Sequence, residues 1–83
     1  MKYMVSIQFR PEQMAEIMVH VPQEQARVSE LMQEGIVETL FLSADRGKVW
    51  LLMHSETLAL LEDALKTLPL YPYMQLTCDP LVS

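Results

Sequence analysis

A predicted β-hairpin between residues 36 and 54 constrains the fold of this chain most. Residues 36–43 and 48–54 have the composition of strands, and the polar turn Ala44-Asp45-Arg46-Gly47 separates them. Strict alternation gives the first strand two apolar faces: Val37 and Phe41 on one, and Ile36, Leu40 and Leu42 on the other. The second strand also has two: Trp50 and Leu52 on one, and Val49, Leu51 and Met53 on the other. Because strands that are apolar on both faces are normally covered on both, each face must meet other protein or a cavity.

Two more strands are predicted at the ends of the chain. Residues 2–9 alternate apolar and polar side chains, and Arg10-Pro11 ends this strand because proline cannot donate to a sheet. Residues 73–79 alternate again, with Met74, Leu76 and Cys78 on the apolar side. The chain therefore has four predicted strands.

Helical spacing predicts two helices and leaves a third stretch open. Pro22 suits the first position of a helix over residues 22–34, and Gly35 is placed to end it in the left-handed conformation. Ser55 is a good N-cap for a helix over residues 56–67, whose inner face holds Leu58, Leu61, Leu65 and Leu68. Residues 12–19 also have helical spacing, as a separate helix or as an irregular arm.

The resulting order of elements, β-α-β-β-α-β, is typical of ferredoxin-like domains. These are α+β folds in which a four-stranded antiparallel sheet carries both helices on one face. We expect residues 1–83 to form one such domain. Since the helices cover only one face, the second apolar face of the hairpin predicts a homodimer packed sheet against sheet. A cavity is expected between the sheets or between sheet and helices.

Composition supports an assembly and excludes several classes of protein. Of the 83 residues, 51% are hydrophobic and 20% are charged, which is more apolar material than so small a core hides. Cys78 stands alone, so an intrachain disulfide or a cysteine-rich zinc site is excluded. The net charge of −5 has the wrong sign for nucleic acid. Without a secretion signal or a run of membrane-spanning length, the expectation is a cytoplasmic protein with no membrane partner.

The C-terminal part of the chain carries a more specific signal. The run Leu68-Pro69-Leu70-Tyr71-Pro72-Tyr73-Met74, followed by Asp79-Pro80-Leu81, resembles the end of the muconolactone delta-isomerases. Upstream, Glu30-Leu31-Met32-Gln33-Glu34-Gly35 is similar to a helix end of that family, and Glu24 falls where the family has a glutamate on the same helix. The resemblance covers nearly the whole chain, and residues 68–74 are its specific part.

This resemblance implies a dimeric α+β barrel, often built into larger rings, with a site between subunits for a small lactone carboxylate. It also implies a reaction that moves a proton within an unsaturated lactone, with no metal and no organic cofactor. The chain departs from the family after Gly35. There the family is rich in lysine, tryptophan, histidine and arginine, and residues 36–42 contain none of them.

Glu24 and Tyr73 are the predicted catalytic residues. Proton transfer next to a carbonyl needs a base whose pKa approaches the working pH, and Glu24, one turn before Val28, points to the apolar side of its helix. Alternatively, Glu24 is the third residue of a helix that begins at Pro22 and stabilises the amides exposed there. The phenol of Tyr73 is suited to hold a developing oxyanion, or else Tyr73 is an aromatic side chain at a subunit contact.

Four further residues, Ser6, Gln8, Trp50 and His54, are predicted to bind substrate. Ser6 and Gln8 lie on the strand face that lines the interior of a ferredoxin-like barrel, and a solvated face is the alternative. His54 ends its strand on the side of Trp50, as an acid or base in a cavity or as a surface or interface residue. His20 has no partner at metal-ligand spacing, so no metal site is predicted.

Two functions follow from these residues. The first is a cofactor-free isomerase that acts on a small lactone or cyclic carboxylate, with Glu24 moving the proton. The second, favoured by the missing cations of residues 36–42, is a non-catalytic homo-oligomeric barrel that binds a small apolar or carboxylate ligand. A cofactor-independent monooxygenase is a weaker analogy, because it rests on the fold alone. The turn Asp45-Arg46-Gly47-Lys48 is expected to be solvated, since one glycine makes no phosphate loop.

Overall fold

A computed structural model describes residues 1–82 of the chain. The strands in this range are β1 (Lys2–Phe9), β2 (Val37–Leu42), β3 (Lys48–His54) and β4 (Met74–Pro80), and the α-helices are α1 (Met14–Gln33) and α2 (Leu58–Lys66). Short 3-10 helices at Pro11–Gln13 and Tyr71–Tyr73 precede α1 and β4.

The four strands form one antiparallel sheet in the order β2-β3-β1-β4. Both helices pack on the same side of it, where Val5 and Leu51 meet Leu31, Leu61 and Leu65 in a core from which water is excluded. Burial of these side chains supplies the main favourable free energy of folding. The predicted ferredoxin-like α+β fold is confirmed.

The two faces of the sheet have different surroundings. On β1, the side chains of Tyr3, Val5 and Ile7 point toward the helices and are buried. Ser6 lies on the opposite side, which we call the outer face, and strand pairing places Trp50 and Thr77 there beside it. Further along β1, β3 and β4, side chains continue to alternate between the helix-facing side and the outer face, because the side-chain period of a strand is two.

A β-bulge between Val37 and Thr39 changes the predicted faces of β2. Val37 pairs with Met53, and Leu40 pairs with Leu51, so that Val37 and Leu40 share the helix-facing side. Strict alternation had placed Val37 with Phe41 on the other face, and this assignment is wrong. The bulge adds one residue to β2, so side chains before and after it that strict alternation places on opposite faces lie on the same face.

Helix α1 is continuous from Met14 to Gln33, and Pro22 lies inside it. The prediction that a helix begins at Pro22, with residues 12–19 as a separate element, is therefore wrong. A proline inside a helix removes one backbone hydrogen bond and costs about 3 kcal/mol. Ile17 before Pro22 and Leu31 after it are both buried against the core, and this shared burial offsets the cost.

Helix α2 begins later than predicted, because Thr57 rather than Ser55 is its N-cap. The Thr57 hydroxyl accepts a hydrogen bond from the Leu60 N–H at 3.1 Å, whereas the Ser55 hydroxyl donates to the Thr57 carbonyl at 2.8 Å. Of the predicted inner face, Leu61, Leu65 and Leu68 are buried and Leu58 is exposed. Gly35 has the predicted left-handed conformation, with φ of 79°, where α1 ends.

Candidate functional site

A groove with apolar walls runs between α1 and the helix-facing side of the sheet. Its volume of about 360 Å³ is that of a site for a small molecule. Apolar side chains from both layers form the walls, among them Met14, Met18, Met32, Leu40, Leu42 and Val49. The polar residues of the lining are Glu24, Gln25, Ser29 and Arg46, so one carboxylate and one guanidinium share an otherwise apolar space.

Glu24 lies in the second half of α1 and is half-buried. Its Oε1 accepts a hydrogen bond from the backbone N–H of Leu70 at 3.0 Å, and Oε2 has no protein partner among residues 1–82. Burial raises the pKa of Glu24 above its usual range, and the hydrogen bond from Leu70 opposes this shift without cancelling it. A carboxyl group with a raised pKa takes up a proton and returns it more readily than an ordinary carboxylate does.

The alternative role of Glu24 at a helix N-terminus is wrong. Because α1 begins at Met14, Glu24 is in the helix interior, far from the unpaired amides of the first turn. Its hydrogen-bond donor instead comes from Leu70, 46 residues further along the chain. The carboxylate is thus held by tertiary structure.

The segment that carries the resemblance, residues 68–74, positions this donor. The side chains of Leu68 and Leu70 are buried, which anchors the segment on the core. Two turn hydrogen bonds shape it, from the Tyr71 N–H to the Leu68 carbonyl at 3.0 Å and from the Tyr73 N–H to the Leu70 carbonyl at 2.9 Å. Pro69 and Pro72 restrict the backbone further. The result is a rigid turn that aims the Leu70 N–H at Glu24.

Tyr73 lies at the end of this turn and is not among the residues that line the groove. Its ring stacks on the imidazole of His20, with centroids 6.1 Å apart and an angle of 27° between planes. His20 is on α1, one helical turn before Glu24, and Met74, the residue after Tyr73, lines the groove. The fold therefore brings His20 next to a predicted catalytic residue.

Arg46 is a groove residue that sequence analysis missed, because its turn was expected to be solvated. The pairing of Gln8 with Lys48, and a hydrogen bond from the Phe9 N–H to the Gly47 carbonyl at 3.2 Å, fix this turn beside the end of β1. The chain continues from there into α1, so the turn meets the groove. Predicting which residues of the hairpin pair with β1 would have placed Arg46 beside the groove.

Ser6, Gln8 and Trp50 lie on the outer face of the sheet. Together with Gln75 and Thr77 they line a second recess of about 300 Å³. The sheet separates this outer recess from the groove that contains Glu24. Within one chain, therefore, the predicted catalytic glutamate and these predicted binding residues do not face the same space.

His54 belongs to a cluster of charged side chains at the other end of the sheet. Its Nε2 is 3.0 Å from Glu38 Oε1, and Lys2 Nζ is 3.6 Å from the same oxygen. The hydrogen bond from His54 lowers the pKa of Glu38, and the charge of Lys2 adds to the effect. Neither the groove nor the outer recess includes His54 in its lining.

Among residues 1–82, neither helix combines the length and apolar character that crossing a membrane requires. In the same part of the chain, no three His, Cys, Asp or Glu side chains are grouped as ligands of a metal ion.

Comparison with known proteins gives one family and one fold. The family model described as muconolactone delta-isomerase matches residues 1–83. Among solved structures, a 5-chloro-2-hydroxyhydroquinone dehydrochlorinase from Burkholderia phenoliruptrix, in complex with 2,5-dihydroxybenzoquinone, superposes with a TM-score of 0.82. It is 13% identical, and the match covers 99% of this chain and 94% of that one, which shows a shared fold. No protein of curated function matches the sequence.

Proposed function

This chain belongs to the muconolactone delta-isomerase family, and from that membership and the geometry of Glu24 we propose that it is a small isomerase. The reaction is a proton transfer within an unsaturated lactone or a similar cyclic carboxylate, without a cofactor. The observation that carries the proposal is the Glu24 carboxyl group, which is held on one oxygen by Leu70 in an apolar groove that raises its pKa.

The proposed step uses the free oxygen of Glu24. The carboxylate removes a proton from the saturated ring carbon in the γ position of an α,β-unsaturated lactone, and the electron pair of the broken C–H bond passes into the conjugated system as a dienolate. The protonated Glu24 then returns the same proton to the carbon next to the carbonyl, and the double bond moves. No atom is gained or lost, and a raised pKa suits a group that must serve first as base and then as acid.

Tyr73 is the proposed hydrogen-bond donor to the dienolate oxygen. Its place at the end of the turn that holds the Leu70 N–H, next to the groove residue Met74, supports this role. Replacing Tyr73 with phenylalanine keeps a ring against His20 and removes only the hydroxyl. For one donor to an oxyanion, the expected loss of kcat is about 10²–10³-fold.

Assembly into a homo-oligomer is part of the proposal. Phe41 is 53% exposed on the outer face, next to Trp50, and such apolar surface is typical of an interface. Two sheets packed by their outer faces would enclose the recess lined by Ser6, Gln8 and Trp50. In that arrangement these residues, with His54 at the rim, form a second binding space for a small apolar or carboxylate ligand.

The decisive experiment follows muconolactone by absorbance with the purified full-length protein and a Glu24→Gln variant. We expect the variant to lose about 10²–10⁴-fold in kcat, the usual contribution of a general base. Glu16→Gln is the matched control, because Glu16 is an exposed glutamate of the same helix and should keep full activity. Circular dichroism of each variant checks that the fold is retained.

A wild-type rate no higher than that of Glu24→Gln would contradict the isomerase. Binding of muconolactone without turnover, detected by a rise in melting temperature, would instead support a barrel that only binds its ligand.

A further inference from the structure

We propose that Arg46 binds the carboxylate of the substrate at the hairpin end of the groove. This inference rests on the proposed function, because it concerns the same groove. It assigns a binding role to a residue of the β2–β3 turn, in a chain whose residues 36–42 contain no lysine, arginine or histidine.

The first observation is that, of the six lysines and arginines in residues 1–82, Arg46 alone lines the groove. Lys2 and Arg27 each lie close to a glutamate, at 3.6 Å from Glu38 and 3.8 Å from Glu30 respectively. Lys48 pairs with Gln8 on the outer side of the sheet, away from the groove. Arg46 lines the groove and has no ion-pair partner among residues 1–82. Its guanidinium is therefore free to bind an anion there.

The second observation is the backbone of Arg46, which has φ of 64°. A side chain other than glycine, asparagine or aspartate is disfavoured in this left-handed region, and such outliers are concentrated at functional sites. Glycine is the next residue along, at position 47, yet arginine occupies the position that needs the positive φ. The chain thus accepts a conformational cost where glycine would remove it, which indicates a use for the side chain.

The turn is built to hold this conformation. Asp45 Oδ1 accepts hydrogen bonds from the Ser43 hydroxyl at 2.7 Å and from the Gly47 N–H at 2.9 Å. The Arg46 N–H donates to the Ser43 carbonyl at 2.9 Å, and the Lys48 N–H donates to the Ser43 hydroxyl at 3.0 Å. With its backbone fixed in this way, Arg46 has less freedom to lose when it binds a ligand.

Chemistry and size define the ligand. An arginine forms two parallel hydrogen bonds with a carboxylate, and the exposed position of Arg46 leaves its guanidinium accessible to a ligand that enters the groove. Apart from Gln25 and Ser29, the remaining walls are apolar, and they suit an uncharged ring between this carboxylate and Glu24. The groove volume of about 360 Å³ suits one such ring. The predicted class is a monocyclic acid whose reactive C–H lies away from its carboxylate.

Benzoate and its neutral analogue benzamide test this inference without any turnover. Titrations of the full-length protein at neutral pH, followed by the amide signals of Leu70 and other groove residues, give the two dissociation constants. We expect benzoate to bind at least tenfold more tightly than benzamide, and Arg46→Gly to abolish the difference. Arg46→Lys should restore part of it, because the charge returns without the planar pair of hydrogen bonds.

The control is Lys66→Gln, which removes the charge of an exposed lysine at the end of α2, outside the linings of the groove and the outer recess, and should preserve the preference for benzoate. Arg46→Gly should also melt no lower than the wild type, because glycine tolerates the positive φ. A stable variant that has lost benzoate binding identifies a binding residue rather than a structural one. Equal affinity for both probes, no benzoate binding, or equal losses in Arg46→Gly and Lys66→Gln would each overturn the inference.

The isomerase proposal and this inference fail separately. Glu24→Gln should lose turnover of muconolactone and bind benzoate at least as tightly as the wild type does, because the substitution removes a like charge from the groove. If the wild type has no turnover but its binding of benzoate still depends on Arg46, the anion site is supported and the isomerase proposal is contradicted. If turnover is present and Arg46→Gly leaves it unchanged, the isomerase proposal is supported and the anion site is contradicted.

Discussion

The groove and the outer recess are built by the same strands and have opposite chemistry. Trp50 lines the outer recess and Leu51, the next residue, lines the groove, because side chains alternate across the sheet. The volumes are similar, at about 300 and 360 Å³. The outer recess has hydroxyl and amide side chains, which suit hydrogen bonding. The groove has apolar walls around one carboxyl group, which suit proton transfer because burial changes the pKa of that group.

The largest expected difference between the two faces is in stability. Leu51 is 1% exposed in the core, so Leu51→Ala should lower the free energy of unfolding by about 2–5 kcal/mol. Leu52, the next residue, is half-buried on the outer face, and Leu52→Ala should cost about 1 kcal/mol or less in a monomer. Urea denaturation of both variants measures the two values. Equal losses would contradict the assignment of the two faces.

The second prediction concerns what covers the outer face. Phe41→Asp puts a charge into the proposed sheet-to-sheet interface and should weaken self-association by about 2 kcal/mol or more, roughly 30-fold. Leu42→Asp is the matched control, because Leu42 is similarly exposed, at 49%, on the other side of the same strand. Sedimentation equilibrium gives both dissociation constants. A monomeric wild type, or equal effects of the two substitutions, would exclude this interface.

Much of the fold could be predicted because alternation and element order are properties of short segments. The faces of β1 and β4 follow from strict alternation, and the structure confirms them. The face of Val37 could not be predicted in this way, because a β-bulge interrupts the alternation and the composition of the strand does not reveal it. The path of α1 through Pro22 also escaped prediction. Burial of Ile17 and Leu31 against the same core outweighs the local preference of proline, and only the tertiary structure shows this.

The candidate site was less predictable, because its contacts join distant parts of the chain. Glu24 could be proposed from helical spacing and family resemblance. Its partner Leu70 could not, since the hydrogen bond crosses 46 residues. Arg46 was placed correctly in a turn, but where the turn meets the groove depends on the strand register. Local patterns thus identify a reactive group, and long-range packing determines its neighbours.

The smallest expected effect is the pH dependence of stability, and it has opposite signs for two carboxylates. Burial raises the pKa of Glu24, so the folded chain binds this proton more tightly than the unfolded chain does. As the pH rises from the ordinary value of 4.5 through the raised pKa, the unfolded chain loses its proton first and stability falls. Glu24→Gln removes this loss, so relative to the wild type the variant should gain stability between acid and neutral pH.

Glu38 provides the contrast, because its hydrogen bond with His54 lowers its pKa. There the folded chain releases its proton more readily, so the contribution to stability is present above 4.5 and is lost as the pH falls through the lowered pKa. Glu38→Gln should therefore lose stability relative to the wild type between acid and neutral pH. Urea denaturation of the wild type and both variants from pH 3 to pH 7, in steps of about half a unit, measures the two slopes. If the two variants deviate from the wild type in the same direction, the buried carboxyl group in the groove is not distinguished from the surface one, and the physical basis for Glu24 as the base is lost.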